Sequence, residues 1–171
     1  MSRRFPERKG CFMKEPIDRI DRLLVRTLQD DPRASYAQIA RATGVSEATV
    51  RRRITALFET DAMTMAVLPS PKQFGYPVQA QVTVRADLDA VQNIADELAG
   101  MPEVTMAFLT TGRWDLTFYV ALPTLDSLPE FLQERVGPLR GIRETETLII
   151  PRLIKGFTSW RVPEDVPDSY L

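Results

Sequence analysis

The chain has 171 residues, enough for one or two small domains, and 44% of them are hydrophobic, as in ordinary globular proteins. It contains no histidine and one cysteine, Cys11. A Ser-His-Asp relay, a Cys-His pair, a His/Cys zinc cage and an intramolecular disulfide are therefore excluded. No run approaches the roughly 18 apolar residues of a membrane span, and no secretory signal is recognisable. We expect a cytoplasmic protein with no membrane partner.

The formal net charge of −1 hides a difference between the two halves of the chain. Residues through Tyr76 carry a net charge of +5, and those from Pro77 onward carry −6. A basic half suits contact with a polyanion, although two-domain proteins also differ this much by chance. Prolines and glycines interrupt the chain between the halves. The predicted divisions are an arm at 1–14, a domain at 15–68, a linker at 69–76, a domain at 77–155 and a tail at 156–171.

Apolar residues recur at helical spacing three times in the first domain. Asp30-Asp31-Pro32 ends the first helix, Gly44 can take the positive φ of a tight turn after the second, and the third runs to about Thr60. Two short helices joined by such a turn predict a helix-turn-helix. Each helix follows a residue with an N-capping side chain: Asp18, Ser35 and Ser46.

The third helix leaves three successive arginines near its first two turns. In helix-turn-helix proteins this part of the helix enters the major groove of DNA. We expect Thr49 and Arg52 to reach base edges. Arg51 and Arg53 are expected to pair with phosphates or with nearby glutamates. The alternative is a solvated face of a helical packing unit, and for Tyr36 a packing role. The candidate DNA-binding residues are Ser35, Tyr36, Ser46, Glu47, Thr49, Arg51, Arg52 and Arg53.

The segment from Met63 to Leu68 is apolar and free of proline. Its length suits a strand or a wing leading out of the helical unit. The first domain is therefore predicted to be winged-helix-like.

The second domain shows the order β-α-β-β-α-β. An alternating strand begins at Val78, a helix opened by Asp87 follows, and a strand carries Val104, Met106 and Phe108 on one side. After a glycine turn, a third strand carries Trp114, Leu116, Phe118 and Val120 on one side. Thr124 is expected to cap a helix with Leu125, Leu128, Phe131 and Leu132 inward, and the last strand covers about Arg143 to Ile150. This order predicts a ferredoxin-like unit, so the fold class is α+β.

Both helices of such a unit cover one face of the sheet and leave the other bare. The bare face is expected to pack against a second copy in a homodimer, unless a wing or tail covers it. The residues predicted there are Ala107, Leu109, Thr117, Tyr119 and either Thr145-Thr147-Ile149 or Glu146-Leu148-Ile150.

The chain resembles the leucine-responsive regulatory protein/AsnC transcription regulators over roughly residues 16–155. The matching stretches are Ile17–Asp21, Arg33–Ala40, Gly44–Ile54, Gly75-Tyr76, Thr111–Leu116 and Gly141–Thr147. The resemblance implies homodimers, often assembled into tetramers or octamers, that bind pseudo-palindromic promoter DNA. Many members close the recognition helix with a glycine where this chain has Asp61, so that helix is expected to end differently.

The resemblance also implies that a small effector, usually an amino acid, binds between C-terminal domains. A glycine turn offers backbone N–H groups to a carboxylate, and Asp115 suits an α-ammonium group. For Trp114 the alternative is a place in the strand core, and for Asp115 it is capping of the hairpin. The implied effector-binding residues are Leu109, Gly112, Trp114, Asp115, Thr147 and Leu148.

The predicted function is therefore sequence-specific DNA binding by a transcriptional regulator, with double-stranded DNA and an amino-acid effector as partners. No cofactor and no enzymatic activity are expected. The alternative is a ligand-binding module or a small-molecule enzyme without sequence-specific DNA binding. In the enzyme, Asp115, Glu144 and Glu146 offer carboxylates for a divalent ion.

Overall fold

The computed structural model describes residues 17–156 and 159–163. The predicted arm at 1–14 and most of the predicted tail, residues 157–158 and 164–171, lie outside these ranges. The chain divides into two compact units. One runs from Leu68 to Ile154, and the other holds the described residues through Val67 and from Lys155 onward.

Three helices form the first unit: α1 (Arg19–Asp30), α2 (Tyr36–Thr43) and α3 (Glu47–Glu59). All three predicted N-caps are confirmed, because each side chain accepts a hydrogen bond from the backbone N–H three residues later. The apolar stripes of the helices meet in a small core, in which each fully buried side chain contributes roughly 1.5–3 kcal/mol. The buried members of this core are Leu24, Leu28, Ile39, Val50 and Ile54.

The turn after α3 depends on Asp61. Thr60 is the C-cap of the helix, and Asp61 has a φ of 54°, in the left-handed region that favours glycine. A short polar side chain tolerates this region better than most. Asp61 therefore supplies the left-handed turn itself, without the glycine of the family pattern.

The strand or wing predicted at Met63–Leu68 is wrong. These residues form no regular structure, and Val67 is 96% exposed. A strand needs a hydrogen-bonded neighbour, and the one sheet in the described residues pairs four other strands. Met63 instead packs against the helical core.

The second unit contains β1 (Val78–Ala86), α4 (Val91–Gly100), β2 (Val104–Leu109), β3 (Leu116–Leu122), α5 (Ser127–Phe131) and β4 (Ile142–Ile149). The strand order is β2-β3-β1-β4, and every neighbouring pair is antiparallel. The predicted ferredoxin-like order is confirmed. Alternate residues of β1 and β3, such as Val82 and Phe118, pack in the core against helix residues such as Ile94 of α4.

A bulge in β2 reverses the predicted sides of that strand. The register between β2 and β3 shifts between Val104 and Met106, so Phe108 lies opposite Thr117 and Ala107 lies opposite Phe118. Residues directly opposite one another share a face, and a one-residue shift moves every later side chain to the other face. Met106 and Phe108 therefore lie on the bare face, where Ala107 and Leu109 were expected.

The pairing of β1 with β4 decides between the two alternatives for the last strand. Leu148 lies opposite Gln81, and Glu146 lies opposite Thr83, on the face away from the helices. Thr147 lies opposite the buried Val82. We call the bare side the open face. It carries Gln81, Thr83, Met106, Phe108, Thr117, Tyr119, Glu146 and Leu148.

Both helices of the second unit begin later than predicted. The side chain of Asp87 pairs with Arg143, and α4 begins at Val91 with no side-chain cap. Thr124 accepts a hydrogen bond from the backbone N–H of Ser127, but Leu125 precedes the helix and is 55% exposed. A π-helical turn at Leu132–Val136 continues α5.

Part of the tail contacts α1 within the first unit. The side-chain amide of Gln29 donates to the carbonyl of Trp160 over 2.9 Å and accepts from the N–H of Val162 over 3.1 Å. Arg161 pairs with Asp30. The side-chain amide of Gln29 thus pairs with one carbonyl and one N–H of the tail backbone, as the backbone of a neighbouring strand would.

The part of the chain that the structure describes includes no helix with the length and apolar character needed to cross a membrane. It also includes no group of three or more His, Cys, Asp or Glu side chains placed to hold a metal ion. The carboxylates of Asp115, Glu144 and Glu146 therefore do not form the metal cluster of the alternative enzyme hypothesis.

Candidate functional site

The turn between α2 and α3 fixes the position of the candidate DNA-binding helix. Gly44 ends α2 with a φ of 74°, a conformation that costs other residues more. Val45 packs against the helical core, and Ser46 then caps α3. Glu47 lies in the first turn of α3, where a negative charge interacts favourably with the helix dipole.

Several predicted contact residues are already engaged in capping. Ser35 accepts from the N–H of Gln38 and donates its hydroxyl to the side chain of Gln38 over 2.8 Å. Ser46 accepts from the N–H of Thr49, and the two hydroxyl oxygens lie 3.0 Å apart. These hydroxyls stabilise the helix starts and therefore hold the exposed end of α3 in place.

Arg51 and Arg52 are exposed on α3. The guanidinium carbon of Arg51 lies 4.9 Å from the ring centre of Tyr36, a cation–π contact that joins α2 to α3. The side chain of Arg52 has no ion pair or hydrogen bond with any described residue. Ala48 and Thr55 are also exposed, one turn to either side of Arg52. Thr55 was not among the predicted residues, although its spacing of three from Arg52 places it on the same face.

Unlike Arg51 and Arg52, Arg53 is held in ion pairs with other described residues of the protein. Its guanidinium is 2.7 Å from a carboxylate oxygen of Asp18 and 2.9 Å from one of Asp21. Asp21 is buried with only 8% of its surface exposed. Both carboxylates raise the pKa of Arg53. Arg53 therefore ties α3 to the N-terminus of α1, through aspartates rather than the expected glutamates or phosphates.

A second group of candidate residues lines a polar cleft of about 450 Å³ in the second unit. Gly112, in the β2–β3 turn, has a φ of 120° that favours glycine. Asp115 accepts a hydrogen bond from the N–H of Ala86 over 2.9 Å through one carboxylate oxygen. We call this the arginine-lined cleft. Its lining residues are Arg85, Ala86, Leu88, Gly112, Arg113, Asp115 and Arg143.

The three arginines of this cleft differ in their partners. Arg143 pairs with Asp87, and Arg113 lies 3.5 Å from Glu144. The exposed side chain of Arg85 has no ion pair or hydrogen bond with the residues described. Arg85 and Arg143 were not predicted, because the pairing of β1 with both β3 and β4 is needed to bring them to the Gly112 turn.

The other predicted effector residues lie outside the lining of this cleft. Trp114 precedes β3, so it has no place in the strand, and Arg113 stacks over its ring at 4.8 Å. Leu109 is 60% exposed at the end of β2. Thr147 and Leu148 lie on opposite faces of β4.

Comparisons with known proteins find matches to both units of the chain. Residues 17–57 match the AsnC-type helix-turn-helix domain, and residues 79–160 match the Lrp/AsnC ligand binding domain. An uncharacterized HTH-type transcriptional regulator of Pyrococcus abyssi is 36% identical over 143 residues, covering 83% of this chain and 90% of the relative. The chain belongs to the Lrp/AsnC family of transcriptional regulators.

Further comparisons also extend over most of the chain. The regulatory protein AsnC of Escherichia coli is 31% identical over 137 residues, covering 78% of this chain and 90% of AsnC. The solved structure of E. coli AsnC has a TM-score of 0.76 at 28% identity and covers 84% of this chain and 99% of that one. A Neisseria meningitidis regulator, solved as a complex with L-Met, shares the fold with a TM-score of 0.78 at 21% identity, covering 91% of this chain and 100% of its own. This Lrp/AsnC protein is thus a DNA-binding regulator with a ligand-binding domain.

Proposed function

We propose that this Lrp/AsnC regulator reads operator sequence with the outer face of α3 and responds to an amino acid in the arginine-lined cleft. One observation carries the DNA assignment: Arg51 and Arg52 are exposed while Arg53, the next residue, is held by Asp18 and Asp21. In this proposal Arg52 contacts base edges in the major groove, and Ala48, Thr49 and Thr55 flank it. Arg51 contacts phosphate.

The roles of the other predicted DNA-binding residues follow from their hydrogen bonds. Ser35 and Ser46 cap helices with their hydroxyls, and the backbone N–H of Ser35 donates to Oε1 of Gln38 over 2.7 Å. The donor proposed for phosphate is therefore the backbone N–H of Ser46, at the N-terminus of α3. Tyr36 supports Arg51 by ring stacking. We propose no base contact for Arg53 and no catalytic role for the chain. As a transcriptional regulator, the protein would act in the cytoplasm.

A genome-wide pull-down of bound DNA, with and without pooled amino acids, tests this function. The expected result is enrichment of promoter fragments that share a pseudo-palindromic sequence, with occupancy that changes when amino acids are added. Enrichment without a common sequence would contradict sequence-specific recognition.

Charge supports an amino acid as the ligand of the arginine-lined cleft. Three guanidinium groups and one carboxylate face the same space, and Arg85 is without a protein partner in the described chain. A planar guanidinium binds a carboxylate through two parallel hydrogen bonds. We propose that Arg85 binds the α-carboxylate and that Asp115 binds the α-ammonium group with the oxygen that does not accept from Ala86.

Replacing Arg85 by glutamine is expected to weaken amino-acid binding about tenfold, the loss of roughly one charged contact. The proteinogenic amino acids, screened one by one by thermal shift, provide the probe, and titration calorimetry of the one that binds measures the loss. Arg140→Gln removes the same charge from an exposed position outside the cleft and should leave affinity unchanged. Equal affinity in the two variants, or no binding by any amino acid, would refute the assignment.

We further propose a homodimer, with tetramers or octamers built from it, through the open face. Met106, Phe108 and Leu148 are 36%, 37% and 52% exposed there. The rings of Phe108 and Tyr119 meet edge to face at 6.2 Å and form an apolar centre among polar neighbours. A second copy of this face would bury these side chains.

Phe108→Glu is expected to shift the protein from dimer toward monomer, because a carboxylate on the open face would be buried without a partner. Light scattering at micromolar concentration measures the mass. Leu88→Glu adds the same charge at a position that is 92% exposed and should leave the mass unchanged. A wild-type monomer at that concentration would reject the dimer.

A further inference from the structure

A second cleft lies at the opposite end of the sheet from the arginine-lined cleft. Its volume is about 690 Å³, within the range of small-molecule sites. The end of β3 at Leu122, Glu130 of α5 and the 3-10 helix at Pro71–Phe74 form its walls. No residue lines both clefts. The second cleft belongs wholly to the unit from Leu68 to Ile154.

The lining of this cleft is aromatic and rigid. Phe74 and Tyr76 remain 71% and 45% exposed, although each presents a large apolar ring. Four prolines line the same space, and because each fixes its backbone φ, the walls lose little freedom when a ligand binds. These prolines are Pro69, Pro71, Pro102 and Pro123.

The charge of the cleft is negative. Among the described residues, Glu103, Glu130 and Glu134 line it, and Arg135 is the one cation. Oε2 of Glu103 is buried and accepts no hydrogen bond in the described structure. The nearest guanidinium nitrogen of Arg135 lies 3.9 Å away, beyond hydrogen-bond distance. The Glu103 side chain nevertheless keeps 27% of its exposure, so its carboxylate stays open to a cation bound in the cleft.

The backbone beside these carboxylates is unusual. Glu134 and Arg135 lie in the π-helical turn, where the N–H of Gly137 donates to the carbonyl of Leu132, five residues back, over 2.8 Å. Such turns are rare and occur frequently at functional sites. Here the turn places one acidic and one basic side chain in the cleft wall.

We propose that this cleft binds an organic ammonium ion with an apolar body, an arylalkyl amine in the simplest case. The ammonium group donates to Glu103 and is attracted by Glu130 and Glu134. The apolar body lies against Phe74 and Tyr76, whose ring faces also attract a cation. A ligand with a free carboxylate is disfavoured by the excess negative charge. This site goes beyond the proposed effector cleft, whose ligand carries a carboxylate as well as an ammonium group.

Titration calorimetry with three probes of similar shape tests the proposal: 2-phenylethylammonium, 2-phenylethanol and phenylacetate. The ammonium is expected to bind about tenfold more tightly than the alcohol, and phenylacetate more weakly than either. Amide NMR shifts on addition of the ammonium should centre on Thr105 and Phe131. Shifts centred elsewhere, or equal binding of all three probes, would overturn the proposal.

Variants of the carboxylates localise the effect. Glu103→Gln should weaken ammonium binding about tenfold and leave the alcohol unchanged, with Glu130→Gln as a second variant in case the first unfolds. Glu97→Gln, at an exposed position of α4 outside the cleft, and Arg85→Gln should both bind the ammonium as the wild type does. Undiminished binding by folded Glu103→Gln and Glu130→Gln would overturn the assignment.

Discussion

Replacing Arg53 by alanine should lower the free energy of unfolding of the helical unit by about 2 kcal/mol. Removal of the guanidinium leaves the carboxylate of Asp21, which is 8% exposed, without its cation. Breaking a fully buried ion pair costs roughly 3–5 kcal/mol. The expected value is smaller because Asp18 and Arg53 retain 45% and 23% of their side-chain exposure. Chemical denaturation followed by circular dichroism measures the change.

Arg52→Ala is the matched control, because its side chain is exposed and lacks partners in the described residues. It should unfold at the wild-type denaturant concentration. If Arg53→Ala and Arg52→Ala are equally stable, the tie between α1 and α3 contributes nothing and the structural role of Arg53 is wrong.

The same ion pair has a pH signature. Burial would raise the pKa of Asp18, but the N–H of Asp21 and the guanidinium of Arg53 outweigh burial and hold the pKa below its usual 3.8. A carboxyl with a lowered pKa stabilises the fold above pH 3.8, and this contribution is lost as the pH falls through the lowered value. As the pH falls through that acid range, the free energy of unfolding of Arg53→Ala should therefore decrease less than that of the wild type.

Arg52→Ala is expected to weaken binding to the selected operator by about 1–3 kcal/mol, roughly 5- to 150-fold in Kd. The reason is the loss of one base contact in the major groove. Binding to a scrambled sequence should change much less, because only a general electrostatic contribution is lost there. Fluorescence anisotropy at one fixed salt concentration measures both affinities.

Arg140→Ala controls for the charge, since Arg140 lies in the other unit and is exposed. It should bind operator and scrambled DNA as the wild type does. An Arg52→Ala protein that keeps the wild-type preference for operator would show that another part of the chain reads the sequence.

Local patterns in the sequence were sufficient for most of the fold. The caps at Asp18, Ser35 and Ser46 depend on side chains a few residues from their partners, and the alternation of β1 is visible within nine residues. The bulge after Val104 carries no comparable local signal, because it is defined by the strand on the other side of the pair. The sides of β2 were therefore predicted in reverse.

The roles of the site residues also depend on partners that are distant in the sequence. Three successive arginines look alike in sequence, but the aspartates that hold Arg53 lie 32 and 35 residues away. Arg85 and Arg143 likewise reach one cleft only through strand pairing. The face of α3 that is open to DNA could therefore be identified only from the structure, which shows which arginine is already paired with aspartates.

Methylation interference on the selected operator tests most directly whether α3 enters the major groove. Methylation of guanine N7 places a methyl group in that groove, and methylation of adenine N3 places one in the minor groove. We expect guanine methylation to block binding at two half-sites about one helical turn apart, ~34 Å, and Arg52→Ala to relieve the block at the bases that Arg52 contacts. Interference from adenine methylation alone, with guanine N7 methylation tolerated throughout the site, would contradict the entry of α3 into the major groove.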